Sequence, residues 1–216
     1  LPGYVDSHTH LVFATTREKE FCDRIDGLSY EEIAARGGGI LNSARRLKEA
    51  TETQLLESAW SRLQEVIKQG TTTIEIKSGY GLDVANELKM LRVIRRLQEI
   101  SPIRIKSTLL AGHAYPLAYR ENHEGFLKII EEELVPNVAR EGLAEYIDVF
   151  CEKGYFSVAD TIKIMEAGAK YNMPPKIHVN QFNAMGGVAA AVAHQSRHRD
   201  ARARAAARRH RSRERR

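Results

Sequence analysis

The chain has 216 residues, enough for one domain with a hydrophobic core, and its contents of 43% hydrophobic and 28% charged residues are typical of a globular protein. No apolar run approaches the roughly 18 residues that a membrane span needs, and the first residues lack the pattern of a signal peptide. The two cysteines, Cys22 and Cys151, are far apart and form no CxxC pair. Free cysteines favour a reducing, cytoplasmic location.

The net charge of +5 is concentrated at the end of the sequence. Residues 196–216 contain ten Arg against Asp200 and Glu214, a net +8, which leaves the rest of the chain at −3. This segment has no apolar side chain larger than Ala, so it is predicted to be a disordered tail that follows a domain of residues 1–195.

Three origins of this tail remain open: a polyanion-binding arm, a solvated tail without a partner, or the product of a frameshift in a GC-rich gene. The abrupt change in composition favours a frameshift. No specific nucleic-acid partner is predicted, because the segment has no aromatic residue for base stacking.

Short apolar segments alternate with helical patterns along residues 1–195. Runs of β-branched and aromatic residues predict strands over 3–7, 71–77, 103–110, 146–152 and 176–180. Apolar residues at helical spacing predict helices over 53–68, 86–97, 121–138 and 158–170. The alternation predicts an α/β fold with a parallel sheet and crossover helices.

The residues that follow the first predicted strand favour a barrel over an open sheet. An open nucleotide-binding sheet carries a Gly-rich phosphate loop at this place, whereas this chain carries His8-Thr9-His10. A (β/α)8 barrel brings reactive side chains together at the carboxyl ends of its strands. We therefore predict a partial TIM-type barrel of about the first five βα units. The glycines at 37–39 lack the Lys-Ser/Thr of a phosphate-binding loop and are interpreted as a flexible loop over the site.

His8 and His10 are the strongest candidates for metal ligands. Residues i and i+2 of a strand point to the same side, so both imidazoles are expected to project into the barrel mouth. His178 ends the fifth predicted strand and is a credible third ligand. Three protein ligands leave a position for water, which is the arrangement of catalytic zinc sites. Two surface histidines in a loop are the alternative interpretation of such a pair.

Three further residues are candidates for substrate binding. His113 follows the third predicted strand and could bind metal, hold a carbonyl or act as an acid or base. Tyr80 follows the second strand, between glycines that permit a tight turn. Arg17 could bind a carboxylate in a bidentate manner. An exposed loop Arg and a capped loop His remain the alternatives for Arg17 and His113.

These segments resemble one enzyme family. The first strand resembles the HxH motif of the amidohydrolase superfamily, and the segments together are similar to imidazolonepropionase from residue 1 to about 195. The segments that carry the resemblance are PGYVDSHTHLVFA, KSGYGLD, ELKMLR, GHA, DVFCE and KIHVNQFNAMGG.

The resemblance implies a metal-dependent barrel enzyme of histidine degradation. Such an enzyme hydrolyses 4-imidazolone-5-propanoate to N-formimidoyl-L-glutamate with one bound metal ion, zinc or iron, and the full-length form is expected to be a cytoplasmic homodimer. Matched by position, metal ligands fall at His8, His10 and His178. Substrate-binding positions fall at Arg17, Tyr80 and His113, with catalytic roles at His113 and Gln181, a site residue near the catalytic water.

The sequence departs from the family pattern in its last part. The family's fourth metal ligand is an Asp at the end of strand eight, and its strand-six Asp-His motif would fall where the Arg-rich segment begins. We therefore expect the chain to be a truncated fragment of the barrel that is inactive by itself.

Two rival functions remain open. The first is another cyclic amidohydrolase or a deaminase of the same superfamily. Such relatives often carry a carboxylated Lys on strand four, whereas Lys153 comes after the predicted strand here. The second is a non-catalytic fragment whose tail binds polyanions, which would show steeply salt-dependent binding.

Overall fold

The computed structural model describes residues 2–29, 32 and 38–194 as an alternating series of strands and helices. The predicted tail of residues 196–216 and Gly37 lie outside the described residues. A further helical segment covers 187–194. The elements in chain order are β1 (Tyr4–Thr9), α1 (Glu18–Ile25), α2 (Gly39–Glu49), α3 (Glu52–Lys68), β2 (Thr71–Lys77), α4 (Val84–Ile100), β3 (Arg104–Gly112), a 3-10 turn (Leu117–Tyr119), α5 (His123–Ile129), a π-helical turn (Ile130–Leu134), α6 (Val135–Glu141), β4 (Tyr146–Cys151), α7 (Val158–Lys170) and β5 (His178–Val179).

The five strands form one parallel sheet in the order β1-β2-β3-β4-β5. In a flat sheet β1 and β5 would lie about 19 Å apart, at about 4.8 Å for each step between strands. Their side chains nevertheless meet, since Nε2 of His8 lies 2.9 Å from Nε2 of His178. The sheet must therefore curl. The described fold is an α/β half-barrel, as the sequence predicted.

The hydrophobic core lies between the sheet and the helices on its outer face. Strands β2, β3 and β4 are largely buried, as expected for parallel strands covered on both sides. Helix α3 contributes Leu55, Ala59 and Leu63 to this core. Helix α7 packs closely on β4 because Gly168 has no side chain: a Cβ there would lie 2.4 Å from Cγ2 of Ile147.

Side-chain caps set the starts of the main helices. Thr51 caps α3 and forms a capping box with Gln54. Asp83 caps α4 by accepting a hydrogen bond from the Asn86 amide. Ser157 caps α7 in the same way and forms a capping box with Asp160. The helices predicted over 53–68, 86–97 and 158–170 are therefore confirmed, with small shifts at their ends. Among the described residues, no helix is both long enough and apolar enough to cross a membrane.

The helix predicted over 121–138 is confirmed as one continuous helical segment over 123–141, although it is not α-helical throughout. A π-helical turn separates α5 from α6. Pro136 gives the physical reason, because it has no amide hydrogen to donate and its ring would clash with the carbonyl of Glu132 in a regular α-helix. A π-helical turn inserts an extra residue and removes that conflict.

The sequence also failed to predict α1 and α2, which connect β1 to α3. The loop expected over the glycines is partly helical, because Gly38 is the N-cap and Gly39 the first residue of α2. Gly39 has a φ of +78°, which favours glycine, and its amide donates a hydrogen bond of 3.0 Å to Oε1 of Glu20. The contact with Glu20 joins the start of α2 to α1.

Candidate metal and substrate site

His8, His10 and His178 come together at the carboxyl ends of β1 and β5. Each of them offers one ligand atom, and these three atoms all lie within 4.8 Å of one another. It is the one group of three or more possible ligands found in the described part of the chain. The ring centroids of His8 and His10 are 5.8 Å apart, so both project from β1 to the same side, as strand geometry predicted.

The electrostatics of this group fit a cation. Burial, together with the neighbouring His113 and His178, lowers the pKa of His10 to about 3. Burial and the adjacent His178 also lower the pKa of His8. Both rings are therefore neutral at pH 7, which is the form that binds metal. The buried Nδ1 of His10 has no hydrogen-bond partner within the described residues, as expected of a nitrogen that binds an ion.

A buried ionic network lies against His178. Its Nδ1 is 3.2 Å from Oδ1 and 3.1 Å from Oδ2 of Asp148, on β4. Nζ of Lys77, at the end of β2, lies 2.7 Å from Oδ2 of Asp148 and 3.0 Å from Oε1 of Glu75. Burial opposes ionisation of Asp148, but the hydrogen bond from His178 and the charge of Lys77 outweigh it and lower its pKa to about 2. Neither Asp148 nor Lys77 was predicted from the sequence as a site residue.

His113 lies beside the candidate ligands. Its ring stacks on that of His10, with the centroids 5.7 Å apart, and its Nδ1 is 2.8 Å from the carbonyl oxygen of Gly79. A carbonyl can only accept, so Nδ1 carries the proton. Burial lowers the pKa of His113 to about 4. The ring is therefore neutral at pH 7, and its Nε2 has a free lone pair.

Tyr80 lies beside both His10 and His113. Its ring lies 5.3 Å from that of His10 and 5.4 Å from that of His113. Tyr80 belongs to the β2–α4 loop, which a buried carboxylate stabilises. Glu87 accepts hydrogen bonds from the amides of Gly79 at 2.8 Å, Gly81 at 2.6 Å and Leu82 at 3.1 Å. Glu87 was not predicted from the sequence, although a Glu near the start of a helix that follows a Gly-rich loop is a recognisable signal.

Arg17 is anchored by α2. Its Nε and Nη2 donate hydrogen bonds of 3.1 and 2.8 Å to Oγ of Ser43, a buried residue. Its Cζ lies 5.6 Å from the centroid of the Tyr80 ring. The Nε–Nη2 edge of the guanidinium therefore already has a partner, and a carboxylate has to approach another edge. Ser43 lies on a helix that the sequence analysis did not predict.

Arg17, Tyr80, His113 and His178 line a cavity of about 520 Å³. Its lining includes three cations, Arg17, Arg24 and Lys153, and no carboxylate among the described residues, so the cavity favours anionic ligands. The other lining residues are Ile40, Tyr80, His113, Phe150, Tyr155, His178, Gln181, Phe182 and Asn183.

The loop that carries Gln181 is attached to β4 through Glu152. This buried carboxylate accepts hydrogen bonds from the amides of Phe182 at 2.9 Å and Asn183 at 3.2 Å, and from Nδ2 of Asn183 at 2.9 Å. The hydrogen bond from the Phe182 amide is the main reason that the pKa of Glu152 falls to about 2. Glu152 thus fixes the backbone next to Gln181 at the mouth of the cavity.

Comparison with known proteins identifies relatives over most of the chain. No family model matches it. The imidazolonepropionases of Flavobacterium psychrophilum and Christiangramia forsetii are 56% and 54% identical to it over 196 residues, which cover 91% of the chain and 48% of each relative. The imidazolonepropionase of Aeromonas salmonicida is 48% identical over 191 residues, 88% of the chain and 46% of that protein. The chain spans about half the length of these curated relatives, and the resemblance noted in its sequence is confirmed over that span.

Proposed function

We propose that this chain, related to the imidazolonepropionases over 91% of its length, forms part of a metal-dependent hydrolase that opens the ring of 4-imidazolone-5-propanoate. The bond broken is a cyclic amide C–N bond, and the product is N-formimidoyl-L-glutamate. The observation that carries the proposal is the convergence of His8, His10 and His178 on one point beside a cationic cavity. The reaction is proposed for a protein of the relatives' length, since the chain spans about half of them.

The proposed cofactor is one zinc or iron ion held by the three histidines. Such an ion, when bound, lowers the pKa of a water molecule and polarises a carbonyl oxygen. The low pKa values of His8 and His10 support this role, because ligand imidazoles must be neutral.

The proposed roles of the cavity residues follow from their hydrogen-bonding capacity. Arg17 binds the propanoate carboxylate through the edge that Ser43 leaves free, and Arg24 and Lys153 add to the positive potential. His113 has Nδ1 occupied by Gly79, so its neutral Nε2 accepts a hydrogen bond from a ring N–H of the substrate. Gln181 orients the attacking water, since a carboxamide takes up no proton at neutral pH.

Wider features of the protein are also proposed. Residues 1–195 are the folded unit and 196–216 a separate tail. The full-length protein is a cytoplasmic homodimer that acts on a small molecule and has no specific nucleic-acid or membrane partner.

A chimera tests the proposed reaction despite the length of the chain. The aligned segment of the Flavobacterium johnsoniae imidazolonepropionase, 56% identical over 192 residues, is replaced by the corresponding residues of this chain. We expect the chimera to hydrolyse 4-imidazolone-5-propanoate at a rate within about tenfold of the parent enzyme. The matched control carries His10→Ala in addition and should lose most of its bound metal and its activity. A folded chimera that retains one metal ion but shows no turnover would contradict the proposal.

A further inference from the structure

We propose that Asp148 is a positioning residue, which fixes the tautomer and orientation of His178 so that Nε2 of this imidazole faces the metal position. Lys77 in turn fixes the Asp148 carboxylate. The inference rests on the metal site of the proposed function. It assigns a role to a buried ionic network that the proposed reaction does not otherwise use.

Asp148 contacts His178 through both of its carboxylate oxygens. Nδ1 of His178 lies almost equally far from both carboxylate oxygens, at 3.2 and 3.1 Å. An ionised carboxylate can only accept hydrogen bonds, so Nδ1 of His178 must carry the proton. In the neutral imidazole the lone pair is then on Nε2. That atom lies 2.9 Å from Nε2 of His8, so the lone pair points into the group of candidate ligands.

The Asp148 carboxylate is held rigidly by its other contacts. Asp148 is almost completely buried and accepts a hydrogen bond of 2.8 Å from its neighbouring amide, that of Val149. Nζ of Lys77 lies 2.7 Å from the other oxygen. Lys77 comes from β2 and Asp148 from β4, so this ion pair spans β3 inside the curled sheet. The carboxylate has little freedom to turn away from His178.

The Lys77–Asp148 ion pair is buried, and its presence needs a physical reason. Both side chains of the Lys77–Asp148 pair are 2% exposed or less. A buried ion pair contributes little net stability, because desolvation offsets the attraction between the charges. Outer hydrogen bonds to ligand imidazoles are the usual means of setting their orientation, and their loss typically weakens metal binding 10- to 100-fold. The Lys77–Asp148 pair is therefore better explained as a means of positioning His178 than as a means of stabilising the fold.

The test uses the complete 216-residue chain with Asp148→Asn. The new amide can place a donor against Nδ1 of His178, which forces the proton to Nε2 and blocks metal binding there. Glu75→Gln is the matched control, since it removes another carboxylate of the same network whose side chain contacts Lys77, Lys176 and Thr108 rather than His178. The dissociation constant for Zn²⁺ is measured by chelator competition, and the His178 tautomer by nitrogen NMR of the metal-free chain.

We expect His178 of the wild-type chain to carry its proton on Nδ1, and Asp148→Asn to weaken Zn²⁺ binding about 10- to 100-fold more than Glu75→Gln. The inference is overturned if the wild-type ring carries its proton on Nε2, a result that needs no folded variant. It is also overturned if the two variants weaken Zn²⁺ binding equally. A wild-type chain that binds no Zn²⁺ contradicts the proposed function instead, and the tautomer alone then decides on the role of Asp148.

Discussion

At the scale of single residues, burial determines the protonation state of the site. His10 and His113 stack on one another at half-buried positions where the charged form of an imidazole is unfavourable, and their pKa values fall to about 3 and about 4. The hydrogen bond from Nδ1 of His113 to Gly79 opposes this shift but is outweighed. The unfolded chain has no such burial, so its histidines take up protons at a higher pH.

This difference predicts how the stability of the metal-free chain depends on pH. His113 takes up its proton near pH 6.5 in the unfolded chain and only near pH 4 in the folded chain. Between these two pH values the unfolded state therefore binds more protons than the folded state. Stability should therefore fall as the pH is lowered through this window. One such histidine contributes about 1.4 kcal/mol per pH unit.

The variant His113→Asn isolates this contribution, since Asn does not titrate and its amide can still donate to Gly79. Urea unfolding of both chains at several pH values, in the presence of a chelator, gives the two slopes. The free energy of unfolding of the variant should depend less steeply on pH, by about 1.4 kcal/mol per pH unit, which is the contribution of one proton. Equal slopes would show that His113 is not held neutral by burial.

At the scale of elements, the sequence predicted most of what positions the site. The five parallel strands were recognisable because the alternation of apolar β-rich segments with helical patterns is a local signal. The grouping of His8 with His178 followed from the prediction of a barrel, because parallel strands end at the same edge and the curl of a barrel brings that edge together. The β1–α3 connection was not predicted, because α1 is short and has no buried residue, and α2 begins at glycines.

The supporting carboxylates were missed for a different reason. Asp148 and Glu152 act through contacts with a lysine, a histidine and a backbone amide that are 30 to 71 residues away along the chain. Their burial depends on how the sheet curls, and no local pattern reports that. Sequence thus predicts the residues that face the cavity better than the residues behind them.

The β2–α4 loop gives a prediction at this scale. Glu87→Gln replaces one acceptor oxygen with an NH₂ group that would face the amide hydrogens of Gly79 or of Gly81 and Leu82. A buried amide that loses its acceptor costs about 1–3 kcal/mol, so the free energy of unfolding should fall by about that amount. Hydrogen exchange at Gly79, Gly81 and Leu82 should become faster.

Glu99→Gln is the control for this change, because Glu99 lies on the same helix and is exposed. It should leave both the urea midpoint and the exchange rates of the loop unchanged. If Glu87→Gln behaves like the control, the loop does not depend on the buried carboxylate, and Tyr80 must be held by other contacts.

At the scale of the whole molecule, curling of the sheet is what creates the site. It brings β1 and β5 together although three strands lie between them, and the ionic network of Glu75, Lys77, Asp148 and Lys176 fills the inner side of the curve. The cationic cavity opens at the carboxyl ends of the same strands. The candidate metal ligands, the cationic cavity and the supporting charges are therefore all brought together by one curved sheet.

The central claim is that His8, His10 and His178 form one metal site. Isothermal titration of the metal-free 216-residue chain with Zn²⁺ tests it most directly, with the variant His10→Ala beside the wild type and circular dichroism to confirm that both are folded. The account predicts one ion per wild-type chain and a loss of that binding in the variant. Binding of equal strength in both chains, or no binding by the folded wild type, would contradict it.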